Sequence, residues 1–268
     1  MNKQRVPVST FVAYLSTVLC YPMAPLKLMV LDMAGTTVRD QHEVEACFAQ
    51  AAAATGLHAT AERILAVQGQ AKRFVLETLW REQLGTSATV EQLKAQVDYS
   101  YQVFRQVLEA HYRTQVVVPT EGCLELFDYL KSQGIPIALT TGFYREVTDL
   151  ILHRLGWDVG LDHRRRGNAC SIIDLSIASD EVVEGRPAPL MIQQAMRAFG
   201  IMDPRQVYNV GDTPSDLESG RRAGCGRSLG LTNGTHSRQQ SAQCPNDGLF
   251  ASLTDLTCHL QARLVLAQ

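Results

Sequence analysis

Three polar side chains directly follow short apolar runs of the sequence, each with a glycine close by: Asp32, Thr141 and Asp212. A further carboxylate, Asp216, follows Asp212 by four residues. Mg²⁺ prefers oxygen ligands in proteins, usually one or two carboxylates completed by waters and substrate oxygens. If these side chains converge, they suit a hard cation and a phosphoryl group.

Other residues near these positions could hold an anion. Arg186 lies in the segment EGRPAP, and arginine binds phosphate oxygens well. We expect Pro187 to fix Arg186 at the start of a helix. The backbone amides around Gly35 and Thr36 could cradle an anion, so both are candidate substrate-binding residues. Taken singly, each of these features has an ordinary structural explanation, such as a helix cap or a surface ion pair.

The apolar runs are typical of buried parallel strands. They cover Leu28 to Leu31, Ile135 to Thr140 and Val207 to Val210, and each ends in a polar residue and a glycine. Residues 123–130 and 192–199 carry apolar side chains at helical spacing. Alternating strands and helices predict an α/β fold with a parallel sheet. In such sheets ligands bind beyond the carboxyl ends of the strands, where the polar side chains would meet.

The alternation is interrupted once, between about residues 42 and 112. This segment contains no proline, and we predict helices over residues 43–56, 60–69, 72–85 and 89–112. Pro119 marks the return to alternating strands and helices. We therefore predict a helical cap over residues 41–113, inserted into an α/β core of residues 23–40 and 114–268.

The composition of the 268-residue chain limits its partners. The formal net charge is -2, and we interpret the only basic run, Arg164–Arg166, as a solvated loop, so no nucleic-acid partner is expected. The seven cysteines are scattered, which favours a reducing, cytoplasmic compartment over disulfides or a zinc site. We expect Cys47 and Cys123 to be buried in the core. We expect no membrane partner. An exposed apolar cap helix could support a homodimer.

Residues 1–22 precede the first strand segment. Lys3 and Arg5 stand before a moderately apolar stretch from Val8 to Cys20, which resembles a weak signal peptide. The stretch is interrupted by serine and threonine, no A-x-A cleavage site follows, and it is too short to span a bilayer. We expect a disordered extension or residues that precede the true start, with a cleaved export signal as the alternative.

Four motifs follow one another in the order D-x-x-G-T-T, T-T-G, G-R-P-x-P and G-D-x-x-x-D. This ordered set resembles the haloacid dehalogenase superfamily of phosphoryl-transfer enzymes over most of residues 26–232. The resemblance implies a doubly wound, mostly parallel core sheet, with a helical cap inserted between the first and second motifs.

The resemblance also implies a role for each candidate residue. Asp32 would be the nucleophile that forms an aspartyl-phosphate. Thr141, beside Gly142, and Arg186 would hold the phosphoryl oxygens. Mg²⁺ would be bound by the carboxylates of Asp32 and Asp212 and by the backbone carbonyl of Ala34. The carboxylate of Asp216 would orient the metal ligands.

The residue two places after the nucleophile separates the branches of this superfamily. Its phosphatases carry a second aspartate there, which protonates the leaving alcohol and later activates water. Here the position is Ala34, which can do neither. The stretch DMAGTTV resembles the phosphonoacetaldehyde hydrolases, which break a P–C bond after a cap lysine has formed a Schiff base with the aldehyde. That family's G-x-x-K segment is matched here by Gly69 to Lys72.

Three departures from that family leave the substrate open. Its histidine three residues after the lysine is Val75 here, its methionine before the glycine is Gln68, and its cysteine after the first motif is His42. Lys72 could also be an ordinary surface lysine beside Arg73.

Three functions therefore stay open at the level of sequence. The favoured one is a Mg²⁺-dependent phosphonatase acting on phosphonoacetaldehyde or a related carbonyl phosphonate. The second is a small-molecule phosphomonoesterase, for example on a phosphoglycolate-like substrate, in which water or His42 replaces the missing acid. The third is a degenerate member that only binds a phosphorylated ligand, against which the retained nucleophile argues.

Overall fold

The computed structural model describes residues 24–265, with side chains described up to residue 262. Its centre is a parallel sheet of six strands in the order β3-β2-β1-β4-β5-β6. The strands are β1 (Leu28–Asp32), β2 (Ile137–Thr140), β3 (Leu175–Ile177), β4 (Val207–Gly211), β5 (Arg227–Leu231) and β6 (Leu249–Phe250). This order is that of a doubly wound sheet and confirms the predicted α/β class. The predicted extension over residues 1–22 lies outside the described residues.

Helices cover the sheet and fill the segment between β1 and β2. In chain order they are α1 (Glu43–Thr55), α2 (Ala61–Ala66), α3 (Lys72–Leu84), α4 (Val90–Thr114), α5 (Cys123–Ser132), α6 (Arg145–Leu155), α7 (Leu190–Ala198), α8 (Pro214–Ala223), α9 (Arg238–Ser241) and α10 (Leu253–Val265). The first four follow one another with no strand between them, as the sequence pattern predicts. The cap boundaries at residues 41 and 113 stay a prediction.

The longest of these helices, α4, is the element against which α1 and α3 pack. Its N-terminus is closed by a capping box, in which the Thr89 hydroxyl accepts from the Gln92 backbone amide at 3.2 Å. The ring of Phe104 on its buried face lies 5.6 Å from the ring of Phe48 in α1. Trp80 of α3 donates its indole N–H to the hydroxyl of Ser100 at 2.8 Å.

The central strand β1 is buried on both faces because its side chains alternate between two apolar clusters. Leu28 and Val30 belong to the cluster that includes the apolar face of α7. Met29 and Leu31 belong to the larger cluster, which also takes in the buried faces of α1, α3 and α4. The helical segment and the sheet therefore share a continuous apolar core, and β1 ends in contact with both.

The structure differs from the sequence prediction at several element boundaries. β2 begins at Ile137 because Ile135 belongs to the turn that ends α5, where its backbone N–H donates to the Leu130 carbonyl at 2.9 Å. β3 and β6 are only three and two residues long, too short to form an apolar run, and β5 begins with the polar residues Arg227 and Ser228. α7 begins at Leu190, so Pro187 and Arg186 lie in the preceding loop and not at a helix start.

Several predictions about the surface and the cysteines are also resolved. Among the described residues, no helix combines the length and the apolar character that crossing a membrane requires. Cys47 and Cys123 are buried, as predicted. Arg165, in the basic run, pairs with Asp149 of α6, so the run takes part in the fold at the surface. The homodimer and the cytoplasmic location stay predictions.

Candidate active site

The loops that follow β1, β2 and β4 meet at the carboxyl ends of these neighbouring strands. β1 ends at Asp32, which lies in register with Thr140 at the end of β2, and Thr141 follows at once. β4 ends at Gly211, so Asp212 is the first residue of the next loop. The strand order therefore brings the three predicted polar residues to one edge of the sheet.

Three buried carboxylates, of Asp32, Asp212 and Asp216, place ligand oxygens within 4.8 Å of one another. Asp216 reaches this cluster from the first turn of α8. The hydroxyl of Thr213 accepts from the Asp216 backbone N–H at 3.3 Å, and Asp216 Oδ2 accepts from the Thr213 backbone N–H at 3.0 Å. This reciprocal cap fixes the first turn of the helix, so both acids face the same site, as their spacing predicts.

Arg186 is the cation inside this cluster and is only 4% exposed. Its Nη1 lies 2.5 Å from an oxygen of Asp32 and 2.5 Å from an oxygen of Asp216, and its Nη2 donates to the hydroxyl of Thr140 at 2.9 Å. Arg186 therefore holds the predicted nucleophile in place. The predicted contact of Arg186 with phosphoryl oxygens stays a prediction.

The charge of the cluster is unbalanced, because three carboxylates face one guanidinium. Burial and the neighbouring carboxylates raise the pKa of Asp32 well above its ordinary value, while Arg186 lowers it. Burial and Asp216 raise the pKa of Asp212 to about 6, although hydrogen bonds from two threonines lower it. A divalent cation at these oxygens would offset the repulsion and favour the ionised forms. The donor set therefore fits Mg²⁺.

Asp212 is held by the loop after β1 and by the loop after β5. Thr235 donates from its backbone N–H and from its hydroxyl to Asp212 Oδ2, both at 2.7 Å, and Thr36 donates to Oδ1 at 3.2 Å. A Cβ at Gly35, where φ is +88°, would lie 2.4 Å from Asp212 Oδ2. Gly35 and Thr36 thus contact a predicted metal ligand, and their direct contact with substrate stays a prediction.

Lys72 is 6% exposed at the first position of α3, which contradicts the alternative of a surface lysine. Its Nζ donates to Gln68 Oε1 at 2.9 Å. The next residue, Arg73, is exposed and pairs with Asp98. Gln68, a departure from the family pattern, is therefore the partner that positions the lysine.

The buried position changes the chemistry of the Lys72 amine. Burial lowers the pKa of Lys72 to about 8, against the attraction of nearby carboxylates. About one such amine in ten is neutral at pH 7, compared with about one in several thousand for an ordinary lysine. A neutral amine is the form that attacks a carbonyl, so Lys72 is suited to forming a Schiff base.

Residues from both halves of the chain line one narrow cavity between the loops of the sheet and the first three helices. Six of the predicted site residues are among its walls: Asp32, Ala34, Gly69, Lys72, Thr141 and Gly142. The cavity measures about 20 Å³, room for about one water molecule. We therefore expect the helical segment to move away before a phosphoryl group can bind.

The family follows from a match over most of the chain. A family profile described as haloacid dehalogenase-like hydrolase matches residues 26–224, which include all four motifs. The chain belongs to the haloacid dehalogenase-like hydrolases. It is therefore an enzyme of the hydrolase class, as the motifs predict.

Relatives of this haloacid dehalogenase-like hydrolase include proteins named phosphonoacetaldehyde hydrolase. The phosphonoacetaldehyde hydrolase of Bacillus cytotoxicus is 31% identical over 142 residues, which are 53% of this chain and 47% of that protein. The chain thus spans about half the length of the curated relatives it matches.

Solved structures share the fold. A phosphonoacetaldehyde hydrolase-like protein from Oleispira antarctica has a TM-score of 0.70 at 19% identity, covering 92% of this chain and 96% of its own. A predicted phosphoglycolate phosphatase from Haemophilus somnus 129PT has a TM-score of 0.65 at 21% identity, covering 92% of this chain and 100% of its own.

Two of the departures lie outside the catalytic centre of this hydrolase. The side chain of His42 is 63% exposed and its Nδ1 lies 3.0 Å from Glu45 Oε2, so it is not placed to protonate a leaving group in the cavity. Val75 is buried in the apolar core. A second carboxyl group lines the cavity besides that of Asp32. It belongs to Asp40, which follows the first motif and which no sequence pattern marks.

Two glycines mark where the loop before α3 touches the sheet loops. A Cβ at Gly69, where φ is +78°, would lie 2.3 Å from the hydroxyl oxygen of Thr213. A Cβ at Gly142 would lie 2.7 Å from the carbonyl oxygen of Gly69 and 2.8 Å from that of Gln70. The closed cavity therefore depends on the absence of a side chain at both positions.

Replacing Gly142 with alanine should lower kcat/KM for phosphate release about 10²-fold. The new methyl group meets backbone carbonyls, which must shift, and a displacement of about 1 Å at a catalytic centre costs a factor of this size. Steady-state kinetics and a thermal melt check this. In the control Gly134→Ala, φ is +67° and nothing crowds the added Cβ within 4 Å, so stability should fall by about 1 kcal/mol with kcat/KM unchanged. Full activity in Gly142→Ala would show that catalysis does not need this contact.

Proposed function

We propose that this hydrolase is a Mg²⁺-dependent phosphonatase that cleaves the P–C bond of phosphonoacetaldehyde or a related carbonyl phosphonate. The observation that carries the proposal is the buried Lys72 in the same cavity as Asp32 and Ala34. The lysine offers an amine to a carbonyl group, Asp32 offers a nucleophile to phosphorus, and Ala34 offers no acid. This combination suits a leaving group that is activated as an iminium ion.

The proposed reaction has two covalent stages. The neutral Lys72 amine adds to the aldehyde, and a proton delivered to the departing hydroxyl group then gives an iminium ion and water. An oxygen of Asp32 then attacks phosphorus, and the electron pair of the P–C bond moves into the iminium to form an enamine. Water hydrolyses the aspartyl-phosphate to phosphate, and the enamine takes a proton on carbon before hydrolysis releases acetaldehyde and the free lysine.

The remaining predicted residues have supporting roles in this proposal. Mg²⁺, held by the carboxylate cluster and by the carbonyl of Ala34, would neutralise charge on the phosphoryl oxygens. Thr141 and Gly142, which line the cavity beside Asp32, would receive these oxygens. Gly69 would bring the loop before α3 over the bound substrate.

The relative named phosphonoacetaldehyde hydrolase supports the proposed substrate, because it is 31% identical to this chain over 142 residues, about half of each protein. The proposed substrate is a small molecule, because the cavity that Asp32 and Lys72 line is narrow. We propose no nucleic-acid or membrane partner.

A phosphate monoester is the second candidate substrate, and the carboxyl group of Asp40 in the cavity favours it. Asp40 could protonate a leaving alcohol in place of the aspartate that is absent at Ala34. In that case the reaction would not need Lys72.

A substrate comparison tests the proposal on the wild-type enzyme. Phosphonoacetaldehyde and phosphoglycolate are incubated separately with Mg²⁺, and phosphate and acetaldehyde are measured. We expect equal amounts of phosphate and acetaldehyde from phosphonoacetaldehyde, with kcat/KM at least about tenfold above that for phosphoglycolate. A preference for phosphoglycolate would support the second candidate and overturn the first.

A further inference from the structure

Three of the described residues that line the cavity have ionisable side chains: Asp32, Asp40 and Lys72. The proposed function uses the first as nucleophile and the last as amine, and leaves Asp40 without a role. The side chain of Asp40 is largely buried, since the residue is 9% exposed. The remaining described wall residues are apolar or neutral and polar, so among them Asp40 is the one acid left to supply a proton.

We propose that Asp40 is the general acid that protonates the departing hydroxyl group when Lys72 forms its iminium ion. This inference rests on the proposed function. It concerns a step for which the described cavity wall otherwise offers no acid, because Ala34 and Val75 carry no ionisable group at the two positions where related enzymes have one.

The proton of Asp40 completes the balance of this step. The Lys72 amine first adds to the aldehyde carbon and gives a neutral carbinolamine. Asp40 then donates its proton to the hydroxyl oxygen, the C–O bond breaks, and the nitrogen lone pair forms the C=N bond. The products are the iminium ion, one water molecule and the Asp40 carboxylate.

The surroundings of Asp40 keep its proton available. Burial, together with a hydrogen bond to the Glu43 carboxylate, raises the pKa of Asp40 to about 7, although the Val44 N–H lowers it. An acid with a pKa close to the working pH is an effective proton donor. Glu43 is partly exposed, so it links the buried carboxyl group to solvent, from which Asp40 regains its proton between turnovers.

Asp40 also has a structural contact, which the test must separate from acidity. Its Oδ1 accepts from the Val44 backbone N–H at 3.3 Å, in the first turn of α1. Asparagine retains this oxygen and lacks the acidic proton. Asp40→Asn also removes a carboxylate that raises the pKa of Lys72, so more of the amine becomes neutral. A structural or electrostatic role therefore predicts unchanged or faster iminium formation, whereas the acid role predicts slower formation.

The experiment measures iminium formation alone. In full-length protein carrying Asp32→Asn the P–C bond is not attacked, so the iminium accumulates with phosphonoacetaldehyde and Mg²⁺. Borohydride reduces it at set times, and mass spectrometry measures the adduct on Lys72. Adding Asp40→Asn should slow adduct formation by about 10²- to 10⁴-fold, and Asp40→Glu should restore most of the rate. Glu45→Gln, in the first turn of α1 and outside the cavity wall, should leave the rate unchanged.

The outcomes separate this inference from the function on which it rests. An adduct that forms as fast in Asp40→Asn as in its parent overturns the acid role and leaves the phosphonatase standing. Equal losses in Asp40→Asn and Asp40→Glu, with unchanged melting temperatures, also overturn it, because packing and not acidity would then matter. No adduct in the parent overturns both proposals.

The pH profile of adduct formation gives a second readout. Below about pH 8 the Lys72 amine is increasingly protonated, and above about pH 7 Asp40 increasingly loses its proton, so the rate should pass through a maximum between them. Asp40→Asn should lose the alkaline decline. Other groups facing Asp40 from α1, α4 and the loop after β4 are Glu43, Cys47, Tyr112 and Asp212. Burial raises the pKa of Cys47 to about 11 and that of Tyr112 above its ordinary value, so neither group loses its proton near pH 7. Glu43 and Asp212 are already mostly ionised above pH 7. None of these four groups therefore accounts for the decline.

Discussion

Replacing Lys72 with glutamine should abolish hydrolysis of phosphonoacetaldehyde, lowering kcat/KM by at least about 10⁴-fold. Losses of this size follow the removal of a group that forms a covalent intermediate. Without the amine no iminium can form, and the P–C electron pair has no acceptor. The measurement is acetaldehyde release at saturating Mg²⁺, together with borohydride trapping, which should give no adduct in the variant.

Arg73→Gln is the matched control for this prediction. Arg73 is the next residue on α3, carries the same charge as a protonated lysine, and is exposed. Its loss should leave kcat/KM within about twofold of wild type, because a surface ion pair contributes little. Lys72→Gln that keeps wild-type turnover would contradict the imine route and favour a phosphatase reaction.

The strand-end residues of the site could be predicted from the sequence because local pattern decides where they lie. Each apolar run ends at a definite residue, and the order of the strands brings those ends together. Asp32, Thr141 and Asp212 follow from this reasoning. Asp216 follows as well, because a helix that starts at Pro214 with Thr213 as its cap turns the carboxylate back to the strand end.

Other parts of the site could not be predicted, because they depend on contacts between distant segments. Thr235 holds Asp212 across 23 residues of sequence, and it lies in a loop that no motif marks. Arg186 reaches Asp32 across 154 residues, and only the folded chain shows that its guanidinium serves the carboxylate cluster. The sequence predicts that Arg186 lies near a phosphoryl group, whereas in the folded chain its guanidinium group contacts the carboxylate of Asp32.

The burial of Lys72 is the clearest case in which the sequence left two interpretations open. Residue type and the neighbouring Arg73 are compatible with a solvent-exposed helix start. The structure resolves the matter through Gln68, whose side chain oxygen accepts from the lysine inside the cavity. A glutamine four residues before a lysine has no distinctive pattern, so only the turn between α2 and α3 reveals the pair.

Replacing Asp32 with asparagine should remove all measurable turnover, a loss of at least about 10⁴-fold, because the amide cannot attack phosphorus. The folded protein should be as stable as wild type or more so. Burial and the neighbouring acids raise the pKa of Asp32, which means that its charge is unfavourable in the cation-free protein, and asparagine removes that charge while its oxygen can still accept from Arg186. Phosphate release and a thermal melt without Mg²⁺ measure the two effects.

Asp174→Asn is the matched control for Asp32→Asn. Asp174 is another aspartate beside the sheet, and its Oδ2 accepts from the Ile137 backbone N–H at 2.9 Å, outside the cavity. Asparagine keeps that acceptor, so turnover should stay within about twofold of wild type.

The two covalent stages of the proposed reaction use different residues, and Asp32→Asn should separate them. Lys72 meets the carbonyl group of the substrate, and Asp32 meets phosphorus, so losing the second contact leaves the first intact. The variant should therefore still give a borohydride-trapped adduct on Lys72 while releasing no phosphate. Phosphate release by Asp32→Asn at more than about a hundredth of the wild-type rate would show that another group, or water itself, attacks phosphorus. Loss of the adduct together with turnover in this variant would contradict the imine route and overturn the phosphonatase proposal.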